Sequence, residues 1–161
     1  METNLIVRLA EEADLEVLVS LAAAFRAHLR QVTPSDADLR VSIARLLQEA
    51  GAEFFLACDS RGTSLGYVQC RYRYSAWTSG LEAELEDMFV VREARRGGVG
   101  LRLLEFAIGR AREKGCRAMG LNTNERNEAA VALYRKVGFR YERPLWNGGR
   151  QLWLDRSLEN R

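Results

Sequence analysis

Three stretches of the chain carry groups suited to chemistry. In the first, Glu82, Glu84 and Glu86 alternate with Leu81, Ala83 and Leu85, so a strand here has one acidic and one apolar face. A carboxylate on such a face can remove a proton from a nucleophile, and a like-charged neighbour tends to raise its pKa toward a useful value. An ordinary solvated strand face is the alternative. The second stretch is Arg95-Arg96-Gly97-Gly98-Val99-Gly100, set between the strand-like LEDMFVV and the helical LRLLEFAIGRAREKG. That order aims unpaired N–H groups and the positive end of a helix dipole beyond the strand end, an arrangement that binds phosphate. Arg95 and Arg96 add formal charge beside it. In the third stretch Arg71, Tyr72, Arg73, Tyr74 and Trp77 interleave aromatics with cations, as the lining of a ligand pocket or as an exposed sheet face.

The glycine spacing narrows the ligand. A dinucleotide fingerprint requires G-x-G-x-x-G, but Leu101, Arg102 and Leu103 follow Gly98-Val99-Gly100, so the third glycine is missing. A nucleotide P-loop requires Lys-Ser or Lys-Thr after its last glycine, and neither is present. What remains is R-x-x-G-x-G.

Strand 81–90 contains a conflict of phase. Strict alternation would put Asp87 on the apolar face and Met88 and Val90 on the acidic one. A β-bulge near residues 86–88 would resolve this by slipping the phase one residue and would leave backbone N–H groups unpaired; the alternative is that Asp87 lies where the strand becomes exposed.

The other elements are read from periodicity. Residues 4–9 form a strand; residues 12–29 form a helix with Leu15, Leu18, Ala22, Phe25 and Leu29 on one face. His28, the sole histidine, falls near that helix's end and reads as solvated or capping. Ser35-x-x-Asp38 opens a second helix through Leu39, Ile43, Leu46 and Leu47, ended by Gly51. Strands 53–59 and 64–74 flank a hairpin loop containing Gly62. The helix after the glycine loop buries Leu101, Leu104, Ile108 and Ala111 and ends at Gly115, followed by a strand at 116–121. In NEAAVALYRKVGF, Asn127 is the N-cap, Ala130, Leu133, Tyr134 and Val137 form one face, and Gly138-Phe139 is the stop. Further strands are expected at 139–142 and 151–154, turned by Asn147-Gly148-Gly149.

The whole chain sets limits. Its 161 residues suit one domain that buries about two-thirds of its unfolded surface. With 47% apolar and 29% charged residues it has the composition of a globular protein, and a net charge of +2 gives no general affinity for nucleic acid. No apolar run approaches the roughly 18 residues of a membrane span, and Glu2, Glu11 and Glu12 speak against a targeting peptide. Cys58, Cys70 and Cys116 lack metal-ligand spacing and read as reduced thiols, so no metal and a cytoplasmic location are expected.

Between residues 85 and 139 the chain carries LEDMFVV, R-x-x-G-x-G, a helix, a strand and N-x-x-A-x-x-x-Y-x-x-x-G-F in that order. In this ordered set it resembles the GCN5-related N-acetyltransferase (GNAT) superfamily. Arg92 stands where relatives often carry proline, in a loop that tolerates the change. The resemblance implies an α/β fold of α+β type, a single domain over 1–161. Its twisted, mostly antiparallel sheet would have about six or seven strands, flanked by about four helices. It implies acetyl-CoA as acyl donor, held by Met88, Phe89 and Val90 on the strand and by Arg95, Arg96, Gly97, Gly98, Val99 and Gly100 around the pyrophosphate. Asn127, if not only a cap, would meet the pantetheine arm, and Tyr134 would protonate the departing thiolate unless it is simply a core tyrosine. Glu86 matches the family's acidic position before the bulge, with Glu84 second, while Asp87 reads as structural. Tyr72, Tyr74, Trp77 and Glu84 would line the acceptor site. Homodimers are frequent among such enzymes.

The chemistry follows from residue types. An amine must lose a proton before attacking a thioester, which costs roughly 4–5 kcal/mol at pH 7 for a pKa of about 10.4. No cysteine or serine is placed as a covalent nucleophile, so direct transfer in a ternary complex is expected. The acceptor is read as a small primary amine, which the acidic row would attract. A protein lysine or N-terminus, and a non-catalytic acyl-CoA sensor, are the alternatives.

Overall fold

The computed structural model describes residues 4–141, 147–149, 152 and 154–159. The elements run β1 (Ile6–Leu9), α1 (Leu15–His28), α2 (Asp36–Leu47), β2 (Ala52–Cys58), β3 (Ser64–Ser75), β4 (Gly80–Val90), α3 (Val99–Glu113), β5 (Ala118–Leu121) and α4 (Glu128–Lys136). The strands make one sheet in chain order, antiparallel from β1 to β4 and parallel between β4 and β5. The fold class is as expected, but the described residues hold five strands in place of six or seven. Residues 139–141 are irregular, and residues 142, 151 and 153 lie outside the described set. Asn147 and Gly148 have φ of 49° and 76°, the paired positive values of a tight turn.

Local sequence explains the joints. Ser35 Oγ accepts the Asp38 N–H at 3.1 Å and the Asp38 carboxylate answers at the Ser35 N–H, closing the capping box of α2. In the β2–β3 loop the Asp59 carboxylate accepts the N–H groups of Arg61 and Thr63 at 2.9 and 2.8 Å, and Gly62 takes φ of 83°. Helices α3 and α4 end in left-handed glycines, Gly115 and Gly138, after which Cys116 and Phe139 donate back to Ala111 and Tyr134.

Each face of the sheet has its own core. On one, Leu18, Leu21 and Ala22 of α1 and Ile43 of α2 pack with Phe54, Leu56, Tyr67 and Phe89. On the other, Val99, Leu103, Leu104 and Ala107 of α3 pack with Phe55, Val68, Cys70 and Leu85. Of the expected stripe of α3, Leu104 and Ala111 are buried but Leu101 and Ile108 are only half-buried, and Leu103 and Ala107 take their place in the core. The reason is that α3 lies across β2, β3 and β4 together, and small Ala107 and Ala111 let it approach.

A polar cluster ties α3 to the sheet. The Glu53 carboxylate accepts from Arg110 at 2.8 Å, from the Tyr72 hydroxyl at 2.8 Å, and pairs with Lys114 at 3.1 Å. Burial alone would raise the Glu53 pKa, but these three partners outweigh it and hold it below 4.5. A depressed folded-state pKa gives stability that is complete above the unfolded value and lost as pH falls through the folded one. Glu53→Gln should therefore cost about 2 kcal/mol at pH 7, roughly 4–8 °C in Tm. Melting curves between pH 3 and 7 check this: the gap between parent and variant should narrow on the acid side, and a constant gap would refute it.

Candidate active site

The site is built on a slip in β4. Gln69 of β3 faces Asp87, but the next residue, Cys70, faces Leu85, so Glu86 has no cross-strand partner. Before the slip Leu85 joins the α3-side core; after it Met88 and Val90 pack on that side and Phe89 on the other. The one-residue bulge expected from the broken alternation is present, with Glu86 as its extra residue.

Beyond the bulge β4 loses its parallel neighbour. Pairing with β5 runs from Glu82–Ala118 to Leu85–Leu121 and stops, while β4 continues to Val90 against β3. On the β5 side, the backbone groups of residues 86–90 that turn that way have no strand to meet among the described residues. The chain then passes a short 3-10 turn at Arg92–Ala94 and enters α3 through left-handed Arg96 and Gly98, with φ of 65° and 81°. Arg102 is the first to close a helical turn, onto the Gly98 carbonyl at 3.1 Å, so the N–H groups of Val99, Gly100 and Leu101 precede the ladder. Gly100 packs closely: a Cβ there would stand 3.0 Å from Met88 Cε and 3.3 Å from Leu133 Cδ2. The end of β4, the first turn of α3 and helix α4 therefore meet at one corner. Its free amides, helix dipole and arginines form a donor set that fits a diphosphate.

The other face of β4 is acidic. Glu86 accepts from the Gln69 side-chain amide at 2.6 Å, and Asp87 accepts from the buried Tyr67 hydroxyl at 3.4 Å. Tyr67 and Gln69 lie on one face of β3, so both acids of the bulge point to the α1 side. The Glu86 side chain is exposed as a whole, and its carboxyl end is sheltered against Gln69. Lost hydration there, with the charges of Asp87 and Glu84, raises its pKa against the pull of Arg71. Burial likewise raises that of Asp87.

The sequence pattern agrees with this geometry. Residues 18–139 match the model of the acetyltransferase (GNAT) family. The chain belongs to that family. It is an N-acetyltransferase dependent on acyl-CoA. Among its relatives is the L-methionine sulfoximine/L-methionine sulfone acetyltransferase of Pseudomonas paraeruginosa, 30% identical over 128 residues, 76% of this chain and 72% of that one. The aminoglycoside N(6')-acetyltransferase type 1 of Stenotrophomonas maltophilia is 28% identical over 130 residues, 69% of this chain and 84% of its own. A solved structure described as a probable acetyltransferase superposes with a TM-score of 0.84 at 26% identity, covering 96% of this chain and 99% of the other.

Within this acetyltransferase the residues singled out from sequence divide into two groups. Met88, Phe89 and Val90 lie on β4 past the bulge, and Gly97, Gly98, Val99 and Gly100 form the entry to α3. Arg96 is exposed in that loop, but Arg95 turns back: its Nε donates to the Val90 carbonyl at 3.0 Å and its guanidinium lies 5.7 Å from the Phe89 ring centre. Asn127 occupies the N-cap position of α4, and its side chain makes no cap bond among the described residues. Tyr134 is half-buried with its ring 6.0 Å from Phe139; burial raises its pKa, and its hydroxyl makes no hydrogen bond among the described residues. Glu84 and Glu86 share the acidic face.

Tyr72, Tyr74 and Trp77 are not brought to that face. Tyr72 lies on the α3 side, bonded to Glu53 beneath the Lys114 ammonium, and Tyr74 follows it two residues on, 71% exposed. Trp77 is wholly exposed in the β3–β4 turn, with roughly 20 Å of strand from Gly80 between that turn and Glu86. The arginines of this stretch face the acids instead: Arg71 stands opposite Glu84, and Arg73 opposite Glu82 with an ion pair of 3.7 Å. Gln69 was missed from sequence; its one signal is a lone amide inside the apolar run Tyr67-Val68-Gln69-Cys70.

Gly98 allows a test of the donor side. A side chain at φ of 81° costs roughly 1–2 kcal/mol, most for a β-branched one, and relief would turn the loop amides away. Gly98→Val should raise the Kd for acetyl-CoA about tenfold or more by calorimetry. Unchanged affinity would remove the loop from the binding site.

Proposed function

We propose that this enzyme transfers an acetyl group from acetyl-CoA to the primary amine of a small molecule, directly and within a ternary complex. The observation that carries this reading is the bulge at Glu86, which sets a carboxylate of raised pKa beside the stretch of β4 that β5 leaves unpaired. Acetyl-CoA supplies an activated acyl group and a thiolate leaving group. The chain supplies the rest. Backbone N–H groups from Met88 to Val90 polarise the acyl carbonyl, a kind of contact that typically contributes about 10²–10³ in rate. The N–H groups at the start of α3, with Arg96, hold the pyrophosphate, and Asn127 bonds the pantetheine arm.

Glu86 takes the proton from the acceptor ammonium, directly or through a water, with Glu84 helping to attract the cation. Tyr134, kept protonated at neutral pH by its raised pKa, returns a proton to the sulfur. A small acceptor is supported by the relatives, whose names give an amino-acid analogue and an aminoglycoside as substrates. A cationic acceptor suits the row of Glu82, Glu84 and Glu86. The free thiols of Cys58, Cys70 and Cys116 support a reducing, cytoplasmic setting.

The acid–base roles give measurable outcomes. The base must be ionised, so kcat/KM should rise with pH through the Glu86 pKa, above the ordinary 4.5. Glu86→Gln should lower kcat by about 10²–10⁴ and abolish that limb. Thiol release across a panel of small amines and peptides checks the acceptor class. Turnover confined to peptides would overturn the small-molecule reading. Tyr134→Phe should slow kcat with little change in KM for acetyl-CoA, and an unchanged kcat would remove Tyr134 from the mechanism.

A further inference from the structure

We infer that Gln69 is a positioning residue for acetyl transfer: its side-chain amide clamps one oxygen of Glu86 and leaves the other free for the acceptor amine. The inference rests on the reading of Glu86 as the base. Gln69 is 6% exposed, the sole buried polar residue among those described, in the middle of β3 between Val68 and Cys70. A buried primary amide without a partner is costly, so such a residue is bound to whatever satisfies it. Its partner is Glu86, the residue that the bulge leaves without a cross-strand neighbour, at Nε2–Oε2 of 2.6 Å. Gln69 also stands at the step where the register shifts, so one side chain spans the slip and fixes the carboxylate that the slip displaces.

The contact has a direction. Nε2–H donates to a charged oxygen, which favours the ionised carboxylate and opposes the neighbours that raise its pKa. Lost hydration raises it most; Arg71 on β3 acts the other way, and the like-charged neighbours are Asp87 and Glu84 on β4 and Glu49 just past α2. The Tyr67 hydroxyl is spent on Asp87, and His28 at the end of α1 lies against the Phe89 ring at 6.1 Å. Gln69 is thus the neutral donor that favours the ionised form of Glu86 and stops its side chain from rotating into solvent.

The test is the pH profile of kcat/KM for Gln69→Met, which keeps volume and burial but has no N–H, beside Gln69→Glu and Glu86→Gln. Gln69→Met should move the acidic limb up by about one pH unit and lower kcat/KM roughly tenfold below the limb. The melting shift produced by acetyl-CoA should stay as in the parent. Gln69→Glu, nearly isosteric, should move the limb further, because its carboxyl donates only when protonated. This second variant carries the test if Gln69→Met does not fold. A limb that stays at the parent's pH in the variants, whatever happens to kcat, would reduce Gln69 to a structural plug and overturn the inference. Parent-like activity in Glu86→Gln would instead sink the base assignment on which it rests.

Discussion

The site depends on a one-residue slip between β3 and β4. A strand that kept perfect alternation through residues 81–90 would bury Asp87 with the α3 core and turn Met88 and Val90 to the face that carries the glutamates. The slip at Glu86 sends each apolar side chain to a core and gathers Glu86 and Asp87 on the other face. The same residues stand where β5 ceases to pair, so an exposed backbone edge and an acidic face meet within a few residues of chain. Fold and chemistry therefore share one constraint, and the strand resolves both by leaving Glu86 unpaired.

The glycine loop answers a different constraint. Helix α3 must begin close against the end of β4 for its first amides to lie beside the unpaired end of that strand. Gly100 permits that approach because even a Cβ would press on Met88 and Leu133. Gly98 turns the chain through a left-handed conformation. The back-bonded Arg95 fastens the loop to Val90, so its charge acts partly as a strut. Helix α4 closes the same corner through Leu133 and carries Tyr134 beside it.

Much of this was legible in the residues, because it depends on local pattern. Broken alternation announced the bulge, Ser35-x-x-Asp38 announced its capping box, and the spacing from Arg95 to Gly100 distinguished the loop from nucleotide fingerprints. What stayed hidden depends on register between distant segments. The run Arg71-Tyr72-Arg73-Tyr74 alternates two amphipathic residue types, so nothing local decides which pair faces the acids. Cross-strand pairing with Glu82 and Glu84 assigns the arginines there and leaves Tyr72 to Glu53. Gln69 meets Glu86 across 17 positions of sequence, and its role appears only when the slip is placed. The strands read at 139–142 and 151–154 fall partly outside the described residues, where only the turn at Asn147-Gly148 between them is seen.

The most direct measurement is a two-dimensional amide NMR spectrum titrated with acetyl-CoA and, separately, with desulfo-CoA. If the unpaired end of β4 receives the acyl group and the start of α3 the pyrophosphate, both ligands should shift the amides of residues 98–101. Acetyl-CoA should further shift those of residues 86–90. Shifts confined to the α3 loop with acetyl-CoA would contradict the account, since the bulge would then take no part in holding the group that is transferred.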